Sequence, residues 1–159
     1  MRFVIRADAS PKIGAGHVMR CCAIAEELID KGQKVVFVGE TKSLPWVQER
    51  VRTLGFSEIY RDTEYFRSDP KSDVLILDSY EVDPGDSFIS AANWRRVVAI
   101  VDDATPQVHA DLYIHIQALK RHGFHHRRRG KSDSFRGLNT YLLENRFEVQ
   151  GFNLPPTQN

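Results

Sequence analysis

Ile13-Gly14-Ala15-Gly16-His17-Val18-Met19-Arg20 is the stretch on which the reading of this chain turns. It follows the apolar run Phe3-Val4-Ile5 and the polar segment Asp8-Ala9-Ser10-Pro11. A β-branched and aromatic run, then Ser, Pro and two glycines, then apolar residues at helical spacing, reads as strand, loop and helix opening a parallel α/β unit. The helix presents Val18, Cys21, Cys22, Ala25, Leu28 and Ile29 on one face and stops at Lys31-Gly32. Its first turn carries unpaired N–H groups and a partial positive charge, and glycine lets a ligand approach the backbone, so an anion is welcome there. His17 stands at that entrance, where the helix dipole favours the uncharged ring that a general base needs. The plain alternative is that Gly14 and Gly16 make the bend and His17 caps the helix.

Two glycine motifs compare poorly. The dinucleotide fingerprint wants a third glycine where Met19 stands and an acid about 20 residues further on, for which Glu40 is a loose candidate. A phosphate-binding loop of the Gly-Lys-Ser/Thr kind has no counterpart.

Outward from the turn, further strands are expected at Lys34–Gly39, Phe56–Tyr60, Asp73–Tyr80, Val97–Asp103 and Asp111–Ile116. A helix is expected from a Ser43 cap to Leu54, with Pro45 near its start and Trp46, Val47, Val51 and Leu54 on the buried face. Another is expected over Pro84–Arg96, with Phe88, Ile89, Ala92 and Trp94 inward. Asp62–Ser72 reads as a short helix or a loop. The strand tips carry polar groups: Asp78, Ser79 and Tyr80 after one, Asp102 and Asp103 after another. In open parallel sheets the ligand crevice lies outside those carboxyl ends, so these groups face the same space as His17. The expected fold is a doubly wound, Rossmann-like, mostly parallel α/β sheet with helices on both faces.

With 159 residues, 27% of them charged and 42% apolar, the composition is that of one ordinary soluble domain. No apolar run reaches the ~20 residues of a membrane span, and the chain begins in a strand, which predicts a cytoplasmic protein. Cys21 and Cys22 are adjacent, a spacing that suits neither a disulfide nor a metal, and read as small buried side chains. The net charge of +1 is unevenly spread, because Lys120–Lys131 holds six Lys/Arg and no acid. That run reads as a solvated loop; a phosphate, nucleic-acid or membrane-surface patch, or a dock for an acidic partner, is the functional alternative. Phe124 is its only aromatic, which argues against nucleic acid, and its arginines argue against a metal on His122, His125 and His126.

Taken together, Arg6-x-Asp8-x-Ser10, Gly14-x-Gly16-His17-x2-Arg20-Cys21, Leu77-Asp78-Ser79-Tyr80, Val101-Asp102-Asp103 and Ala110-Asp111 resemble the UDP-sugar hydrolases of pseudaminic acid biosynthesis and the related spore-coat polysaccharide biosynthesis proteins. Gly137–Phe147 resembles that family's glycine-tyrosine-leucine segment. The resemblance implies one half of a glycosyltransferase-B fold: a Rossmann-like domain over residues 1–150, a linker-like tail over 151–159, and a second Rossmann-like domain in cis or in trans. It implies hydrolysis of a UDP-linked 2,4-diacetamido-2,4,6-trideoxy hexose to UDP and free sugar, with no cofactor and no metal. His17 is implied as the base, and Asp8, Ser10, Gly14, Gly16, Arg20, Asp78, Tyr80, Asp102 and Asp103 as substrate-binding residues. The competing expectation is a non-catalytic module that recruits a partner through the basic run.

Overall fold

The computed structural model describes residues 1–79, 83, 85–101 and 108–115, all within the unit Met1–His125. Tyr80, Asp102, Asp103, the basic run, the Gly137–Phe147 segment and the boundary expected at 150 lie outside the described residues. The elements in chain order are β1 (Arg2–Ala7), α1 (Gly16–Asp30), β2 (Lys34–Val38), α2 (Pro45–Thr53), β3 (Glu58–Tyr60), β4 (Asp73–Asp78), β5 (Arg96–Val101) and β6 (Leu112–His115). Short 3₁₀ turns form at Thr63–Tyr65, Ser87–Ile89 and Ala91–Asn93.

The six strands make one parallel sheet in the order β3-β2-β1-β4-β5-β6. The chain runs outward from β1 through β2 to β3, then returns to the other side of β1 with β4. The order therefore reverses between β1 and β4, and ligands of open α/β sheets bind outside the carboxyl ends at such a reversal. Ala7 is registered with Asp78 at that edge.

Alternation along the strands sorts the core into two layers. Ile5, Ala7, Val35, Phe37, Ile76 and Ile100 face α1 and α2 and meet Val18, Cys21, Cys22, Ala25, Val47 and Val51. Val4, Val36, Val38, Leu75, Leu77, Val97 and Ala99 face the other way, onto Phe66, Ile89 and Trp94. Helix α1 ends as expected: Gly32 adopts φ +72°, its N–H donates to the Ile29 carbonyl, and the Gln33 N–H donates to that of Leu28.

Five expectations are corrected. Over Pro84–Arg96 the described residues form two 3₁₀ turns and no α-helix, because short polar side chains take the backbone groups that a helix needs. The Asp86 carboxylate accepts from the Phe88 N–H at 2.8 Å, and Asn93 Nδ2 donates to the Ser87 carbonyl at 2.7 Å. Ile89 and Trp94 still pack inward, but Ala92 is exposed. Among the described residues, then, α-helices cover one face, and the other carries an aromatic layer in which Phe66 stacks on Trp94 at 6.0 Å and Phe88 meets Trp94 edge-on at 5.1 Å. Ser43 does not cap α2; its hydroxyl donates to the Ala9 carbonyl at 3.3 Å, and Leu44 occupies the N-cap position. Trp46 is 58% exposed, because the buried stripe of α2 runs through Val47 and Val51 and the adjacent position points about 100° away.

At the amino edge of the sheet, Arg2 and Asp73 form an ion pair beneath Phe66. Arg2 Nη2 meets Asp73 Oδ2 at 2.6 Å, and the guanidinium lies 4.9 Å from the Phe66 ring centre. This pair sits at the opposite end of the strands from His17. No helix among the described residues is long and apolar enough to cross a membrane.

Candidate functional site

A cleft of about 230 Å³ opens at the carboxyl edge, lined by Asp8, Ala9, Ser10, Ile13, His17, Glu40 and Ser79. Three strand tips supply it. β1 delivers Asp8 to Ser10, β2 delivers Glu40, and β4 delivers Ser79.

The loop between β1 and α1 is held by its own short contacts. The Gly14 N–H donates to the Ser10 carbonyl at 2.7 Å, and the Ile13 N–H donates to the Ser10 hydroxyl at 3.3 Å. Gly14 closes this turn at φ +80°, a conformation that a side chain would strain. Gly16 has no positive φ; at both glycines a Cβ would meet nothing within 4 Å. The value of Gly16 is an open approach to the first turn of α1, which has no side-chain cap and no acidic residue.

His17 is only 5% exposed yet lines the cleft. Its Nδ1 lies 2.7 Å from Asp78 Oδ1, and Asp78 is 1% exposed. The even-numbered residues of β4 face α1, so the carboxylate points under the helix at the level of its first turns. Arg20, one turn along α1, grips the same carboxylate twice, Nε to Oδ2 and Nη2 to Oδ1, each at 2.7 Å. Cys21 Sγ approaches Oδ2 at 3.8 Å. Nδ1 also lies 3.4 Å from Arg20 Nη2, which can only donate, but the carboxylate at 2.7 Å is far closer and accepts only, so His17 donates its Nδ1 proton to Asp78 and in the neutral ring the lone pair is on Nε2. A buried acid that orients an imidazole at the edge of a cleft gives the ring the chemical capacity to take a proton at Nε2 while Nδ1 stays protonated.

The sequence-derived candidates therefore separate by role. His17, Ser10 and Asp8 line the cleft with Ser79. Asp78 and Arg20 lie beneath and beside His17 and hold it, and neither lines the cleft among the described residues. Asp8 is occupied: Oδ1 accepts from the Glu40 N–H at 2.8 Å, and Oδ2 is ion-paired with Arg6. Burial pushes the Cys21 thiol well up and the Cys22 thiol up to about 11, so neither is an activated nucleophile.

Two site residues gain weight from the structure. A Cβ at Gly39 would lie 1.8 Å from the Ala7 carbonyl oxygen, so only glycine lets the end of β2 pass the end of β1, one residue before Glu40 and Asp8 reach the cleft. Glu40, weighed from sequence only as a dinucleotide-type acid, forms a wall of the cleft. The signal was present in the apolar run Lys34–Val38 ending in Gly39-Glu40, the same strand-tip pattern that singled out Asp78. No group of three or more metal-ligating side chains occurs among the described residues. Comparison with protein-family models, curated proteins and solved structures returns no match to this chain.

Proposed function

We propose that the chain is the N-terminal half of a sugar-nucleotide hydrolase, one Rossmann-like half of a glycosyltransferase-B arrangement working with a second such unit in cis or in trans. Its substrate is a UDP-linked diacetamido-trideoxy hexose, and its products are UDP and the free sugar, formed in the cytoplasm. The observation that supports this reading above all others is the His17–Asp78 contact of 2.7 Å at a cleft outside the parallel strand tips.

In this mechanism His17 Nε2 takes a proton from water as the water oxygen bonds to the anomeric carbon. The bond from that carbon to the β-phosphate oxygen breaks, and its electron pair leaves with UDP. Asp78 keeps Nδ1 protonated and steadies the imidazolium that forms. The uncapped amides of α1, approached past Gly14 and Gly16, meet the negative charge that grows on the leaving diphosphate. Ser10 and Ser79 offer hydroxyls to the substrate.

The test follows UDP release from the UDP-linked 2,4-diacetamido-2,4,6-trideoxy hexose by the full chain, alone and with a second Rossmann-like domain added. Release that falls by 10³-fold or more in His17→Ala supports the reading; release unaffected by that change removes His17 from the chemistry and the proposal with it.

A further inference from the structure

The cleft contains a carboxylate held in place for which the hydrolytic scheme has no task. Glu40 is anchored on three sides: its N–H donates to Asp8 Oδ1 at 2.8 Å, its carbonyl accepts from the Ala9 N–H at 2.9 Å, and its Oε1 accepts from the Lys42 N–H. The other carboxylate oxygen has no donor among the described residues. Asp8, the acid singled out from sequence, has both oxygens engaged by Glu40 and Arg6. Asp8 is thus the anchor, and Glu40 is the acceptor on offer.

The wall also indicates what kind of group belongs against it. Of the two carboxylates among the described residues lining the cleft, Asp8 is neutralised by Arg6, and neither Lys nor Arg lines the cleft, so the Glu40 wall offers a phosphate a negative charge and no cation. Neutral donors, O–H or N–H, are what a carboxylate in a cleft recognises. The volume of about 230 Å³ is below the ~300–1,000 Å³ typical of sites for drug-sized ligands, which suits one sugar ring and not a whole nucleotide sugar.

We infer that Glu40 is the specificity residue of this cleft, accepting hydrogen bonds from donors on adjacent carbons of a sugar ring. The identity of that ring rests on the hydrolase reading, under which the donors are the 3-hydroxyl and a neighbouring acetamido N–H of the hexose. A ribose 2′,3′-diol carries the same donor pattern, and the two sources separate experimentally.

The experiment measures binding of the free 2,4-diacetamido-2,4,6-trideoxy hexose, of uridine and of 2′-deoxyuridine to the full chain by NMR titration, in the parent, Glu40→Gln and Glu40→Ala. Thermal melts check that both variants stay folded. The expected result is hexose binding weakened about tenfold or more in both variants, the loss of a charge-assisted hydrogen bond. Uridine binding that needs both Glu40 and the 2′-hydroxyl keeps the inference and assigns the donors to ribose. Glu40-dependent hexose binding without UDP release by any combination of domains keeps the inference and removes the hydrolase reading. Binding within twofold of the parent in both variants, or no binding of hexose or uridine to the parent, overturns the inference whatever the hydrolysis assay shows.

Discussion

Replacing Asp78 by Asn tests the centre of the site with almost no change of shape. Asp78 is 1% exposed and receives three hydrogen bonds of 2.7 Å, two from Arg20 and one from His17. Each bond to a charged group is worth roughly 1.5–3 kcal/mol, and removing one partner of a buried pair costs about 3–5 kcal/mol. The Arg20 side chain is partly exposed and can turn to solvent, and the Asn oxygen keeps one bond, so the expected loss is about 2–4 kcal/mol. With a urea dependence of about 2 kcal/mol/M, the middle of the range for a small domain, the unfolding midpoint falls by about 1–2 M. The amide oxygen turns to the guanidinium, which leaves an NH₂ group facing Nδ1 and drives the ring proton to Nε2. The ¹⁵N spectrum of His17 then changes tautomer, and turnover falls by about 10⁴, the cost of the corresponding change in Ser-His-Asp triads. Arg20→Met is the control, costing about 1–2 kcal/mol with the His17 tautomer kept. An Asp78→Asn protein that unfolds within about 0.5 kcal/mol of the parent, or keeps its proton on Nδ1, refutes this account of the contact.

Other positions give independent checks. Gly39→Ala forces the ends of β1 and β2 apart and is expected to cost at least ~2 kcal/mol in urea unfolding, whereas Gly16→Ala leaves stability within about 1 kcal/mol and weakens UDP-sugar binding measured by titration. Arg2→Met is expected to cost about 1–2 kcal/mol in the same unfolding assay, because the buried Asp73 carboxylate loses the guanidinium but keeps the Asp69 N–H at 2.7 Å and the Ser72 hydroxyl at 3.3 Å, while UDP release per folded molecule is unchanged. Cys22 is protonated to about pH 11 in the fold but to only about pH 9 when unfolded, so between those values the unfolded chain binds fewer protons. Stability therefore falls as pH rises through that window, by about 2–3 kcal/mol, a loss that Cys22→Ala removes from the pH dependence of urea midpoints.

The parallel strands were legible because each is an apolar run with a polar tip, and the position of the site followed from where those tips must gather. Lys34–Val38, Asp73–Asp78 and Arg96–Val101 all appear within a residue or two of the expected bounds. Pro84–Arg96 misled because Phe88, Ile89 and Trp94 do face inward, as in a helix, while Asp86 and Asn93 take the backbone groups. Trp46 misled because hydrophobicity alone does not fix which side of a short helix is buried. Within the site, sequence identified His17 and Asp78 as neighbours of one cleft. That Asp78 supports the ring from below, and that Asp8 serves Glu40, depends on strand alternation and loop closure at the β1–β4 edge, which no local pattern specifies.

His17 and Asp78 stand 61 positions apart in the chain and meet only because β4 lies beside β1. During synthesis the histidine emerges long before its acid, and until that strand inserts, the ring has neither a fixed proton nor a fixed direction. Nascent chains and early proteolytic fragments that contain the whole glycine turn accordingly lack the oriented imidazole on which the proposed chemistry depends, and the ring is fixed in the same step that completes the middle of the sheet.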